Sequence, residues 1–288
     1  METTSRSRST RSTPALNLVL SNALVALLVF LCLSVQLYAE GAGSAFVHGS
    51  SSSPQTPQTS VSVAFHSTQF AGDLNLVVAS WNDSTSHIQS VTDTAGNTYV
   101  LATGPTVNAS WTQAIYYAKN IVASTTNTVT VTFSAAANYP DIRIAEYSGL
   151  DLVNPIDTTV TGQGNGTTSN SGNLTTTNAH DLLVAANVVE TWTNGAGSGY
   201  MARIVTSPDG DILEDKLVTS TGTYNATAPL LYSGHWIMQL IAFRVVANPI
   251  PNFIQSNSGN PPNMNAGHSS LLNEPFTIPV RQNSARPG

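Results

Sequence analysis

Cysteine is all but missing. Cys32 is the only one in 288 residues, and it falls in the N-terminal apolar stretch, so the body of the chain has neither a disulfide nor thiolate chemistry. Charge is scarce too, at 9% of residues. Disordered chains are usually charged and poor in β-branched residues, and this one is the reverse. Between Phe46 and Val246 five basic residues face thirteen Asp and Glu, a net charge of −8. No basic stripe exists, which excludes a phosphate-backbone partner such as nucleic acid. Periodic apolar spacing of the helical kind is absent throughout the body. What remains is Ser, Thr, Asn, Gly and Val, a composition suited to strands whose outer faces are Thr or Asn rather than Lys or Glu.

The N-terminus has a different character. Arg6, Arg8 and Arg11 precede an apolar centre at residues 23–35, and small residues follow at 41–45. A basic region, a short apolar region and small residues near a cut make a secretory signal, with cleavage expected after Ala39 or Ala45. Residues 16–38 are also long enough to span a bilayer as an uncleaved anchor. The arginines hold the N-terminal side in the cytoplasm in both cases, so the body lies outside and meets the membrane only through this segment. The expected organisation is a signal or anchor over 1–45, a Ser/Pro/Gln linker over 46–58, a β domain over 59–246, and a Pro/Asn/Ser-rich tail over 247–288.

Strand-like runs separated by turn signals fill the domain, at 61–66, 74–81, 98–102, 113–119, 128–133, 141–147, 182–189, 201–206, 212–218, 223–228 and 236–246. Residues 128–133, Thr-Val-Thr-Val-Thr-Phe, alternate as a half-buried strand should. Thr94-Ala95-Gly96-Asn97 reads as a hairpin turn. The two halves, about 60–150 and 169–246, resemble each other in three blocks taken in order. Residues 72–79 match 180–186, Ile115 to Lys119 match Ile212 to Lys216, and Ile144 to Tyr147 match Ile241 to Arg244. The fold class expected is all-β: one two-sheet antiparallel β-sandwich, jelly-roll-like, built from two similar halves. A half alone would have open edges and a thin core.

Gly72-Asp73-Leu74, Trp81-Asn82-Asp83, Val91 to Tyr99, Ile115 to Asn120, Glu146-Tyr147-Ser148-Gly149 and Ser207-Pro208-Asp209-Gly210-Asp211 together resemble a family of secreted bacterial β-sandwich modules. Its members often carry Ig-like or fibronectin-type repeats after the β body. The resemblance covers most of residues 59–246 and implies export and the fold. It implies no activity and supplies no catalytic residues.

Ser207-Pro208-Asp209-Gly210-Asp211, with Glu214 and Asp215, is the densest run of carboxylates. Calcium takes oxygen ligands from such loops, so Asp209, Asp211, Glu214 and Asp215 are candidate ligands. The bland reading is a turn, since Pro-Asp-Gly is a turn signal by itself. Glu146 shares a strand face with Ile142 and Ile144 and is expected to be buried and paired with Lys119 or Arg143. Trp81, Trp111 and Trp192 flank loops, where exposed rings stack on sugars and buried rings plug the ends of a core. The runs Gly162-Gln163-Gly164-Asn165-Gly166 and Gly195-Ala196-Gly197-Ser198-Gly199 open no helix and precede no Lys, so they read as loops and not phosphate cradles.

These features favour a non-catalytic extracellular or cell-surface binding module that needs no cofactor unless calcium, with a glycan or surface protein as partner. Two alternatives stay open. One is a secreted polysaccharide hydrolase or lyase using Glu146 and Asp211 as acid and base. The other is a structural spacer in a surface assembly.

Overall fold

The structure is a computed structural model and describes residues 45–246. The leader up to residue 44 and the tail from residue 247 lie outside the described residues. Fifteen strands and no helix make up the described part. The first half contributes β1 (Ala45–Ser52), β2 (Gln58–Phe65), β3 (Leu74–Trp81), β4 (Ile88–Asp93), β5 (Val100–Asn108), β6 (Trp111–Ala118), β7 (Asn127–Ala137) and β8 (Asp141–Ser148). The second contributes β9 (Ile156–Asn170), β10 (Leu174–Thr175), β11 (Asp181–Val189), β12 (Met201–Val205), β13 (Ile212–Val218), β14 (Thr223–Tyr224) and β15 (Thr227–Arg244).

The expected all-β sandwich is present, and its centre is a pair of five-stranded sheets. One has the order β1-β8-β3-β6-β5 and comes wholly from the first half; the other, β9-β15-β11-β13-β12, comes wholly from the second. Two smaller sheets cover their outer faces: β2-β7-β4 over the first and β10-β14 over the second. Within the first half the chain passes between inner and outer sheets as in a jelly roll. The second half repeats this order strand for strand, with no counterpart of β4. The three matched sequence blocks fall on corresponding strands: β3 with β11, β6 with β13, β8 with β15.

Burial on both faces explains why the inner sheets pair. Every residue of β3 and of β11 is buried, which an apolar run allows and an alternating strand does not. Leu74, Leu76 and Val78 point into the central core with Leu182, Val184, Ala186, Ile241 and Phe243. Val77, Ala79 and Trp81 point the other way, against Val61, Val63, Phe65, Val129, Val131 and Phe133 of the outer sheet. The Thr-Val alternation of β7 therefore puts its valines inward and its threonines half-buried, as the pattern requires.

The two inner sheets face each other edge to opposite edge: β1 lies against β12 and β5 against β9, and between these edges β5 meets β15 and β6 meets β11 and β15. Strands β3 and β11 run in the same direction: Arg143 from β8 reaches both Ser80 near the end of β3 and Asn187 near the end of β11.

Several expectations change here. Part of the expected linker is β1, which pairs with β8 from Ala45↔Ser148 to Ser52↔Ile142. The glycine run at 162–166 is not a loop but lies in β9, paired with β15. Gly164 leaves room for the Trp236 ring, which a Cβ there would meet at 2.6 Å. The turn at Thr94–Asn97 joins β4 to β5, which belong to different sheets, so it is a crossover and not a hairpin. The sequence match of the last two blocks is one residue out of register. Leu74 pairs with Tyr147 and Leu182 with Phe243, so the counterpart of Glu146 is Ala242 and not Phe243. A slip of one residue exchanges the two faces of a strand.

Candidate functional site

At the ends of β3 and β11 the apolar interface between the inner sheets gives way to polar side chains. Arg143 is fully buried there. Its Nε lies 2.8 Å from Asp141 Oδ1. Nη1 donates to the carbonyls of Asn187 and Ile212 at 2.8 Å, and Nη2 donates to Ser80 Oγ at 2.8 Å. Gln113 donates to Ala186 O and to Gln239 Oε1 across the same interface. A buried guanidinium is tolerable because each face of its fork has an acceptor. Asp211 sits 4.0 Å from Nη2 and accepts from Val189 N. Burial and the charge of Asp141 push the Asp211 carboxyl well above its ordinary value, against the pull of Arg143. This network fastens one half to the other and is closed to solvent.

A cleft of about 400 Å³ opens beside it on the outer side of the second half. Its lining is Trp192, Thr193, Val205, Thr206, Ser207, Pro208 and Gly210. Trp192 is 54% exposed. The turn from β12 to β13 sets its position. Gly210 N donates to Thr206 O, and Asp211 N to Thr206 Oγ1. Gly210 has φ 75°, and a Cβ there would lie 2.5 Å from Trp192 Cδ1. Glycine is therefore needed both for the backbone and for the ring that rests on it. The Pro-Asp-Gly turn read from the sequence is thus the seat of the exposed ring. The lining carries no Lys, Arg, Asp or Glu.

The three tryptophans singled out from the sequence separate here. Trp192 is exposed and lines this cleft. Trp111 is half-buried at the start of β6. Trp81 is 1% exposed and packs edge to face on Phe133 with centroids 5.4 Å apart, so it is core and offers no face to a sugar. Strand alternation sends residue 81 to the same side as Val77 and Ala79, which is why proximity to a loop misled.

The four carboxylates considered for calcium do not converge. Asp209 accepts from Gln55 Nε2. Asp211 belongs to the Arg143 network. Glu214 accepts from Gly197 N at 2.8 Å. Asp215 accepts both bonds of the Arg203 fork, at 2.7 and 2.9 Å. Alternation along β13 and the competing protein donors keep them apart. Among the described residues no group of three or more His, Cys, Asp or Glu is placed to hold a metal ion.

Glu146 is buried as expected, but its partner is neither Lys119 nor Arg143. It meets His48 Nε2 at 2.5 Å, Phe70 N at 3.1 Å and Gln69 Nε2 at 3.3 Å. Burial, then the neighbouring His66, lowers the His48 value, with Asp73 opposing. Lys119 bonds the carbonyl of Val153 instead. Glu146 and Asp211 share no partner, and both are sealed from solvent.

A second cleft, of about 360 Å³, lies in the first half. It is lined by Trp81, Ser84 to Ile88, Pro105, Val107, Thr112, Ala114 and Tyr116. Asp83 organises its rim by accepting from the amides of Thr85, Ser86 and Asn138 and from the hydroxyls of Thr85 and Ser86. Burial alone would raise its carboxyl, but those donors outweigh it and hold the value at about 2. The sequence signal for this rim is an Asp followed two and three residues later by Thr and Ser, the pattern of an Asx turn.

No known family model, no curated protein and no solved structure matches the chain.

Proposed function

We propose that the chain is a non-catalytic extracellular binding module, and that the cleft beside Trp192 takes a neutral glycan. The observation that carries this reading is the half-exposed Trp192 ring, held over Gly210 at the rim of a cleft without charged side chains. An aromatic face stacks on the C–H face of a sugar, and the exposed Ser207 stands at its edge to bond a hydroxyl. The basic, then apolar, then small-residue leader supports export, as does the resemblance to secreted β-sandwich modules. The common strand order of the two halves supports an internal repeat. Hydrolysis or elimination is less well supported, since a working acid and base must reach substrate, and Glu146 and Asp211 are buried in separate places. A pure spacer would have no use for an exposed ring over an uncharged cleft.

The test is retention of the exported protein, recovered from the extracellular fraction, on columns of insoluble neutral polysaccharides. Wild type is retained on at least one. Trp192→Ala weakens retention roughly tenfold, the equivalent of about 1.4 kcal/mol. Equal retention of wild type and variant removes the cleft from the reading. Release of shortened sugars by wild type would instead favour the enzyme.

A further inference from the structure

We propose that the cleft in the first half is a second neutral-glycan site, at the place in the first half's strand order that the Trp192 cleft occupies in the second, so that the chain is bivalent. This inference rests on the glycan reading of the Trp192 cleft. Both clefts are made from the same three parts of the jelly roll. These are the end of the third strand and the chain leaving it (Trp81 and Ser84 to Ile88; Trp192 and Thr193), the fifth strand (Pro105 and Val107; Val205), and the sixth strand in the first half or the turn into it in the second (Thr112, Ala114 and Tyr116; Thr206 to Pro208 with Gly210). Because β3 and β11 run the same way, both clefts open at the same end of the molecule, on either side of the Arg143 network.

The chemistry of the first cleft fits the same ligand class. Its lining has no Lys, Arg, Asp or Glu, and His87 is its one imidazole. Three hydroxyls on its wall are turned into the protein: Thr85 Oγ1 and Ser86 Oγ donate to the Asp83 carboxylate, and Thr112 Oγ1 donates to Asp83 O at 2.7 Å. Exposed Thr85 keeps lone pairs for a donor, which sugar hydroxyls supply. Tyr116, half-buried, offers an aromatic face. A ligand with donors and an apolar face meets both of these, and a neutral saccharide has each.

Calorimetric titration with a panel of neutral trisaccharides of glucose, mannose, xylose and N-acetylglucosamine distinguishes the cases. Wild type should bind near two equivalents of one of them. Trp192→Ala and Tyr116→Ala should each bind near one, and the double variant none. Ser84→Tyr, at an exposed position on the rim, should block the first cleft without disturbing the core and so reproduce Tyr116→Ala. A long polysaccharide that reaches both clefts should bind wild type roughly 10²-fold more tightly than either single-site variant. One equivalent that Trp192→Ala abolishes and Ser84→Tyr leaves intact overturns the second site and keeps the first. One equivalent lost in Ser84→Tyr but kept in Trp192→Ala overturns the Trp192 reading. No binding to any trisaccharide or polysaccharide overturns both.

Discussion

A guanidinium buried between two sheets persists only where its donors find acceptors, and removing either side leaves uncompensated polar groups. Arg143 is ion-paired with Asp141 and donates to two carbonyls of the opposite half and to Ser80. Arg143→Met should therefore cost about 3–5 kcal/mol in urea denaturation, far more than an exposed substitution. A change under about 1 kcal/mol would mean that the network does not join the halves. Glu214 makes the second residue-scale prediction. Burial raises its carboxyl from 4.5 to about 7, with the Gly197 amide opposing and Asp215 adding. The folded state therefore holds a proton that the unfolded chain has lost. The stability this contributes is full below pH 4.5, falls as pH rises to about 7, and is gone above. Asp181, raised to about 6, acts in the same direction. Asp83, held at about 2, opposes only on the acid side of its ordinary 3.8. His48, lowered by burial, opposes them below its ordinary 6.5, but Glu214 and Asp181 together outweigh it, so the melting midpoint should rise between pH 7.5 and pH 5, by a stabilisation on the order of 2 kcal/mol. Glu214→Gln should flatten much of that rise. A midpoint that falls over this range would contradict the assignment.

Strands with strong apolar or alternating patterns were legible in the sequence, and those made of small polar residues were not. The runs at 74–81 and 212–218 coincide with β3 and β13. β1 and β9 escaped because Ser, Gly, Thr and Asn read as linker and loop; their pairing with β8 and β15 overrides weak local preference. The matching strand order was legible but not its register, because the Ile-Ala steps of β8 and β15 sit in opposite phase: Ile144 faces the outer sheet and Ile241 the central core. Of the site residues, Trp192 and the Asp209-Gly210 turn were legible by type. That Trp81 faces the core while Trp192 does not depends on strand phase, which loop boundaries do not give. At this scale β1 is decisive for how the domain is delimited. A chain beginning at Thr59 loses β1, opens the edge of β8 and leaves Glu146 buried without His48. It should aggregate, or melt well below a chain beginning at Gly43. Equal melting points for the two would show that β1 contributes nothing to the fold.

Across the described residues, two five-stranded sheets meet, each covered by a smaller sheet, and their third strands, β3 and β11, end at the same place. That arrangement leaves the Trp192 ring exposed at one end, and an uncharged cleft beside it, while the network behind it is locked. The central claim is that this ring meets a sugar. Indole N–H signals in a ¹H–¹⁵N spectrum test it most directly, since the chain has four tryptophans, Trp81, Trp111, Trp192 and Trp236. The Trp192→Ala spectrum assigns its signal by loss. On titration with the neutral saccharide that retains the protein, the Trp192 signal should move progressively to saturation while that of Trp236, packed over Gly164, stays in place. A Trp192 signal that stays fixed at saturating saccharide would contradict the account.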